Sequence, residues 1–182
     1  MRIITGKARG KHLLTLEGRD VRPTTERVKE SLFNIIQFDV EGRRFLDLFA
    51  GSGQVGLEAV SRGAREAVLV DSAGESIDVI RKNVENTGLS EQVRVVQGSY
   101  DGYLLRNDGK FDIAFLDPPY ETGLLQQALP MTAERMQKGG TIICEHPAAE
   151  DVPEQAGDFL RGRSYKYGKI MLTFYRHKDV TS

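Results

Sequence analysis

The chain holds 182 residues, with 25 Lys+Arg against 26 Asp+Glu, three His and one Cys. That length suits one domain with a real core, and a formal net charge of −1 excludes a protein that holds nucleic acid simply by being basic throughout. The lone Cys144 excludes an internal disulfide, no stretch reaches the roughly 20 apolar residues of a membrane span, and the start Met-Arg-Ile-Ile-Thr-Gly-Lys lacks a signal peptide's apolar run. A soluble, cytoplasmic protein with no membrane contact is expected. The net charge hides a segregation: residues 1–30 carry eight bases and four acids, 31–160 eleven and twenty-one, 161–182 six and one. Two basic ends around an acidic middle suit a polyanionic partner.

Residues 2–5 and 12–16 read as short β segments around Gly6 and Gly10, a basic hairpin or arm. Pro23-Thr24-Thr25 opens a helix, with a threonine as N-cap and Glu26 in its first turn. Val28, Leu32, Ile35 and Ile36 share one face of it. From residue 45 strands and helices alternate. Strands are expected at 45–50, 67–71, 93–97, 112–117 and 141–146, as apolar runs that suit strands covered on both faces. Helices are expected to about Arg62, to about Thr87, and around Leu124, Leu125, Ala128 and Leu129. The alternation implies an α/β fold, a mostly parallel twisted sheet with helices on both faces. Residues 164–167 and 170–176, joined by Gly168-Lys169, read as a C-terminal antiparallel hairpin. The whole chain, 1–182, is expected as a single domain, with residues 1–40 as a small N-terminal β arm and helix appended to it.

After the first strand, Asp47-Leu48-Phe49-Ala50-Gly51-Ser52-Gly53-Gln54-Val55-Gly56 carries a G-x-G-x-x-G turn. Its glycines let the backbone turn tightly and approach a ligand. Asp71 ends the second strand, where a carboxylate can accept from both ribose hydroxyls. The pattern fits NAD and S-adenosylmethionine alike. Asp47 tilts it, because a carboxylate in the strand end is costly to bury unless paired. A methionine ammonium can pair with it, whereas a pyrophosphate would be repelled.

The fourth strand ends in Asp117-Pro118-Pro119-Tyr120. Ligands of open α/β sheets bind outside the carboxyl ends of the strands, so this turn is expected to face the glycine turn across a cleft. Two prolines stiffen it and remove two donors. The Asp117 carboxylate and the Pro118 carbonyl remain as acceptors, suited to the two hydrogens of an exocyclic NH2. Tyr120 offers a face on which an extruded base can stack.

These motifs resemble the bacterial 16S rRNA guanine-N2 methyltransferases along the length of the chain. Asp47 to Gly53 looks like motif I, and Asp117-Pro118-Pro119-Tyr120 like motif IV, of the amino-methyltransferases. Arg22-Pro23-Thr24-Thr25 and the closing Phe174-Tyr175-Arg176 resemble that rRNA family specifically. The resemblance implies a Rossmann-like class I methyltransferase using S-adenosyl-L-methionine. It implies a guanine N2 target in 16S rRNA, within an assembled or assembling small subunit. Carried over by position, Asp47, Phe49, Gly51 and Gly53 would line the methionine and ribose side, and Asp71 would take the ribose hydroxyls. Asp117, Pro118, Pro119 and Tyr120 would hold and polarise the guanine amine. Ser99 and Tyr100 fall at the adenine, where Ser99 replaces the family's usual Asp, so that Ser99 or Asp101 would take the adenine amine. The resemblance also makes residues 1–40 an RNA-binding appendage beside the cleft. Its candidates are Arg2, Lys7, Arg9, Lys11 and Arg22, the last because Pro23 fixes its backbone.

Arg161, Arg163, Lys166, Lys169, Arg176 and Lys178 crowd the tail and can also meet phosphates. His12, His146, His177 and Cys144 are too scattered for a metal site, and no metal is expected. Cys144, Phe33, Phe38 and Phe115 read as core, His146 as a satisfied structural histidine, and Tyr165 and Tyr167 as packed on one sheet face. Three rival readings stand beside the guanine enzyme. One is an N6-adenine methyltransferase of DNA or RNA. The others are an NAD-dependent oxidoreductase and a catalytically silent RNA-binding assembly factor.

Overall fold

The computed structural model describes residues 1–16, 25–106 and 108–180. Its elements run α1 (Glu26–Ile35), β1 (Arg44–Asp47), α2 (Gln54–Ser61), β2 (Glu66–Asp71), α3 (Gly74–Thr87), β3 (Val93–Gln97), α4 (Tyr100–Leu104), β4 (Phe111–Leu116), α5 (Leu124–Ala133), β5 (Met136–Pro147), β6 (Gln155–Ala156), β7 (Phe159–Tyr167) and β8 (Ile170–His177). The strands form one sheet in the order β3-β2-β1-β4-β5-β8-β7-β6. β1 to β5 are parallel, and β8, β7 and β6 continue the sheet antiparallel. The chain therefore has the expected α/β architecture, with β1 beside β4 at the switch point.

Apolar residues fill both faces of the central strands. On one face Leu69, Phe115, Ile143 and Phe174 pack with α1, α2, α3 and the N-terminal segment. On the other, Leu46, Val70, Leu116 and Cys144 pack with α4 and α5. Cys144 is thus core, as its mid-strand place implies. His146 is buried with its Nε2 2.7 Å from the Thr173 hydroxyl, a satisfied structural histidine. Thr25 caps α1, its hydroxyl accepting from the Val28 N–H at 3.2 Å.

Four features differ from the sequence reading. Phe38 is not core: α1 ends at Ile35, and the ring falls in the turn to β1, 90% exposed. The tail contributes three antiparallel strands rather than two, and β7 starts at Phe159. After buried Phe159 it is exposed through Ser164, with a register shift between Arg161 and Ser164, so it carries no apolar alternation to read. The short helix α4 has no counterpart among the expected elements. Finally, the expected N-terminal pairing is present only as a short antiparallel contact of residues 1–3 with 10–13, and it lies against the domain rather than standing free as an arm.

That N-terminal segment is fastened to the domain by buried charge. Glu58, on α2, accepts from the Ile4 N–H at 2.8 Å, the Thr5 N–H at 3.0 Å and Arg62 Nε at 2.8 Å. Lys29 Nζ, on α1, lies 3.5 Å from Glu58 and donates to the Arg2 carbonyl at 2.8 Å. Both side chains are fully buried. Burial lowers the Lys29 pKa, and Glu58 opposes that shift. With this cover on its outer side, every residue of α2 is buried, polar ones included.

Candidate active site

A cavity of about 790 Å³ opens at the carboxyl ends of β1 to β4. It is lined by Asp47, Phe49 and Gly51 from the glycine turn, by Asp71, by Ser99 and Tyr100, and by Asp117, Pro118, Pro119 and Tyr120. Strand order brings these distant segments together, because β1 lies between β2 and β4. Gly53 does not line the cavity. It sits at the N-cap of α2 with φ 81, and a Cβ there would come 2.9 Å from Leu69. Gly53 therefore shapes the turn, and Gly56 lets α2 press on the sheet, where a Cβ would meet Leu69 at 2.5 Å.

The carboxylates organise the turn from beneath. Asp71 Oδ2 accepts from the Gly51 N–H at 2.9 Å, and its Oδ1 from the Ala73 N–H at 3.0 Å. One residue thus ties the glycine turn to the start of α3 while its remaining lone pairs stay available. Asp47 Oδ2 accepts from the Gly56 N–H at 2.9 Å. Burial pushes the Asp47 carboxyl up to about 7, against that hydrogen bond and with help from the negative charge of Asp71. A cation at this wall would reverse the effect.

The Asp117-Pro118-Pro119-Tyr120 turn forms the opposite wall. The Thr122 hydroxyl donates to the Pro119 carbonyl at 2.8 Å. Glu121 follows in a left-handed conformation, φ 60, which is uncommon for a non-glycine residue.

At the third wall, the Phe49 and Tyr100 rings lie 5.7 Å apart at 36°, and the Tyr100 hydroxyl donates to Gln127 of α5 at 2.8 Å. Ser99 caps α4, accepting from the Gly102 N–H at 3.2 Å. The Ser99 hydroxyl and the Gly102 N–H hold the Asp101 carboxyl below its ordinary range. Ser99 lines the cavity and Asp101 does not.

Thr15 and Leu16 also line the cavity, which sequence reasoning missed. Buried Asn83 of α3 explains their place. Its Oδ1 accepts from the Leu14 N–H at 2.7 Å, and its Nδ2 donates to the Leu14 and Ser52 carbonyls at 3.0 and 2.9 Å. An asparagine inside a helix gives no hint of such a clamp in the sequence.

The basic candidates are spread out. Arg2, Lys7, Arg9 and Lys11 are exposed. Arg2 Nε lies 3.9 Å from Glu26. The Lys7 N–H donates to the carbonyl of Ser61, the last residue of α2, and Lys7 Nζ donates to Gln92, just before β3. The turn around Lys7 thus lies at the far end of α2 from the cleft. Eight residues of helix separate the two ends, about 12 Å at ~1.5 Å per residue. Arg22 lies outside the described residues.

The doubly wound sheet, with its glycine turn and acidic strand ends opening on one cleft, defines a class I S-adenosylmethionine-dependent methyltransferase. A family model described as Conserved hypothetical protein 95 matches residues 1–176, and the chain belongs to that family. The Ribosomal RNA small subunit methyltransferase D of Escherichia coli K12 is 30% identical, over 98% of this chain and 90% of its own length. A solved structure described as a hypothetical protein of Thermus thermophilus is 33% identical, with a TM-score of 0.84 over 97% of this chain and 99% of that one. An RNA methyltransferase from Salinibacter ruber, solved in complex with S-adenosyl-L-homocysteine, shares the fold at 15% identity, with a TM-score of 0.69 over 88% of this chain and 97% of its own.

Proposed function

We propose that this protein transfers a methyl group from S-adenosylmethionine to the exocyclic N2 amine of a guanine in small-subunit ribosomal RNA. One observation carries the reading: Asp47, Asp71 and the Asp117-Pro118-Pro119-Tyr120 turn open on a single cavity. The residues fit the donor. Asp47 is a buried carboxylate that gains from a cationic partner, as the methionine ammonium is. Asp71 keeps acceptor capacity for ribose hydroxyls, and Phe49 and Tyr100 offer ring surface for the adenine. A dinucleotide fits worse, because its pyrophosphate would add negative charge beside Asp47.

Bound in this cleft, S-adenosylmethionine supplies a methyl group activated on a sulfonium. The Asp117 carboxylate and the Pro118 carbonyl accept the two amine hydrogens of the target base. Holding both hydrogens leaves the nitrogen lone pair available, and the stiff turn needs no reorganisation to do so. No strong base is required before attack, since the amine becomes acidic once methylated and sheds one proton, for which the Asp117 carboxylate that already holds its hydrogen is the acceptor at hand. Tyr120 supplies a stacking face, worth ~1–3 kcal/mol for an extruded base. Exposed Arg2, Lys7, Arg9 and Lys11 are the proposed phosphate contacts, with Arg22.

The names borne by the relatives support ribosomal RNA as substrate, and the motif resemblance supports guanine N2. Labelled methyl transfer into small-subunit rRNA, followed by nucleoside mass spectrometry, tests both. N2-methylguanosine is the expected product. N6-methyladenosine would replace guanine with adenine, and no transfer by donor-loaded protein would favour the silent assembly factor.

A further inference from the structure

The six cations of the tail do not make one surface. β8 runs antiparallel to β5, with Ile170 opposite Pro147 and Arg176 opposite Thr141. The tip of the β7–β8 hairpin therefore stands at the carboxyl edge of the sheet, level with the cleft. The other ends of both strands stand at the amino edge. There Lys178 pairs with Asp158 at 3.2 Å, and Arg161 donates to the Val152 carbonyl at 2.9 Å with Glu154 3.8 Å away. Those two charges are answered within the fold, while Arg176 at the same edge is exposed. Arg163, Lys166 and Lys169 are exposed, and among the described residues no ion pair engages them.

The tip is also stiff. Gly168, at φ 63, closes its turn, and the Ala148 N–H donates to the Lys169 carbonyl at 2.8 Å, fastening the tip to the end of β5. Tyr165 and Tyr167 share one face of β7, partly buried against the core, and Lys166 lies on the other face, so the cations flank the rim of the strand. The Tyr165 ring meets Phe174 edge-on at 5.5 Å. Among the described residues only β6 lies beyond β7, pairing with Phe159 and Leu160, so the upper half of β7 is an open rim. From β4, which leads into Asp117, the sheet passes through β5 and β8 to β7. Three strand steps are about 14 Å at ~4.8 Å each, or about four nucleotides along a helical strand at ~3.4 Å rise.

We propose that the open rim of β7 from Arg163 up to the tip, with Lys166, Tyr167 and Lys169, is a second RNA-contact surface that takes phosphates a few nucleotides from the target base. The proposal rests on the reading of the protein as an rRNA methyltransferase and adds to its footprint. It places positive charge beside the cleft, where Lys7 and Arg9 of the N-terminal segment do not reach. The surface suits a polyanion rather than a folded protein partner. Among the described residues, the exposed large apolar side chains, Leu14, Phe38, Leu105 and Leu160, all lie outside the tip.

The test is salt-dependent binding of full-length protein to protein-free small-subunit rRNA fragments. The variant Arg163→Gln/Lys166→Gln/Lys169→Gln is expected to lower the slope of log Kd against log salt by about 2, from three contacts at ~0.7 each. Affinity for S-adenosylhomocysteine stays unchanged. Lys138→Gln/Lys178→Gln, removing two amino-edge cations that pair with Asp179 and Asp158, keeps the wild-type slope. Should the triple variant melt early, Lys166→Gln and Lys169→Gln alone are each expected to lower the slope by ~0.7. Equal slopes for wild type and tip variants overturn the proposal. So does a loss confined to assembled subunits, which would assign the tip to a protein. Wild-type protein that binds no rRNA at any salt is a different result and refutes the rRNA reading itself.

Discussion

The substitution Asp47→Asn should make the free protein more stable while removing its hold on the methyl donor. Asp47 is buried, with a carboxyl pushed from 3.8 to about 7. At pH 8 the folded protein must keep it ionised against that preference, whereas the unfolded chain ionises freely. One pH unit of displacement is about 1.4 kcal/mol, so the cost at pH 8 is about 4 kcal/mol. The sign follows from the raised folded value. Stability from this group is full below the unfolded value near 3.8, falls as pH rises, and levels off above about 7. The amide that replaces the carboxylate keeps an acceptor for the Gly56 N–H and carries no charge. Its advantage over wild type should therefore grow by about 3 kcal/mol between pH 5 and pH 8. At ~2–4 °C per kcal/mol for a chain of this size, that is a widening gap of about 6–12 °C in Tm. Calorimetric titration with S-adenosylhomocysteine gives the other half. Wild-type affinity should weaken about tenfold from pH 8 to pH 6, as Asp47 takes up its proton, and the variant should bind weakly at both. A Tm gap that is the same at pH 5 and pH 8 would refute the claim that Asp47 is held near 7. Unchanged affinity in the variant would refute its pairing with the ammonium.

Asp117→Ala should lower kcat by at least ~100-fold, the loss expected for one preorganised polar group, with S-adenosylhomocysteine affinity kept within about threefold. Single-turnover methyl transfer alongside calorimetry separates the two, and full turnover would end the role given to Asp117. Glu58→Gln should destabilise the fold by about 3–5 kcal/mol, because it leaves Lys29 buried without its counter-charge. Urea unfolding measures this, and a loss under about 1 kcal/mol would mean that Lys29 is held neutral at no cost. Lys7→Gln/Arg9→Gln/Lys11→Gln should flatten the salt dependence of rRNA binding by about 2 in log–log slope without moving the KM for the methyl donor. An unchanged slope would remove this segment from the RNA grip.

Some of this molecule can be read locally, and some of it cannot. The alternation of apolar strands and helices, the glycine turn and the Asp-Pro-Pro-Tyr turn are short-range patterns. Each is set by backbone sterics, periodicity or the missing donors of proline, so the α/β sheet and the two walls of the cleft are legible along the chain. The adjacency of β1 and β4 follows from the same pattern through general rules of sheet winding. The rest depends on partners far apart in the chain. Lys29 and Glu58 look like ordinary helix charges until burial makes each the other's counter-ion. Asn83 looks like a surface residue until it clamps Leu14 to Ser52 and draws Thr15 and Leu16 into the cavity wall. Phe38 reads as core by composition, yet it falls past the end of α1 into water. The basic tail reads as one charge cluster, but antiparallel pairing sends its halves to opposite edges of the sheet. Burial and pairing across the fold are properties of position in space. Spacing along the chain carries no record of them, so which charges answer one another and which face the cleft is settled only when the elements pack.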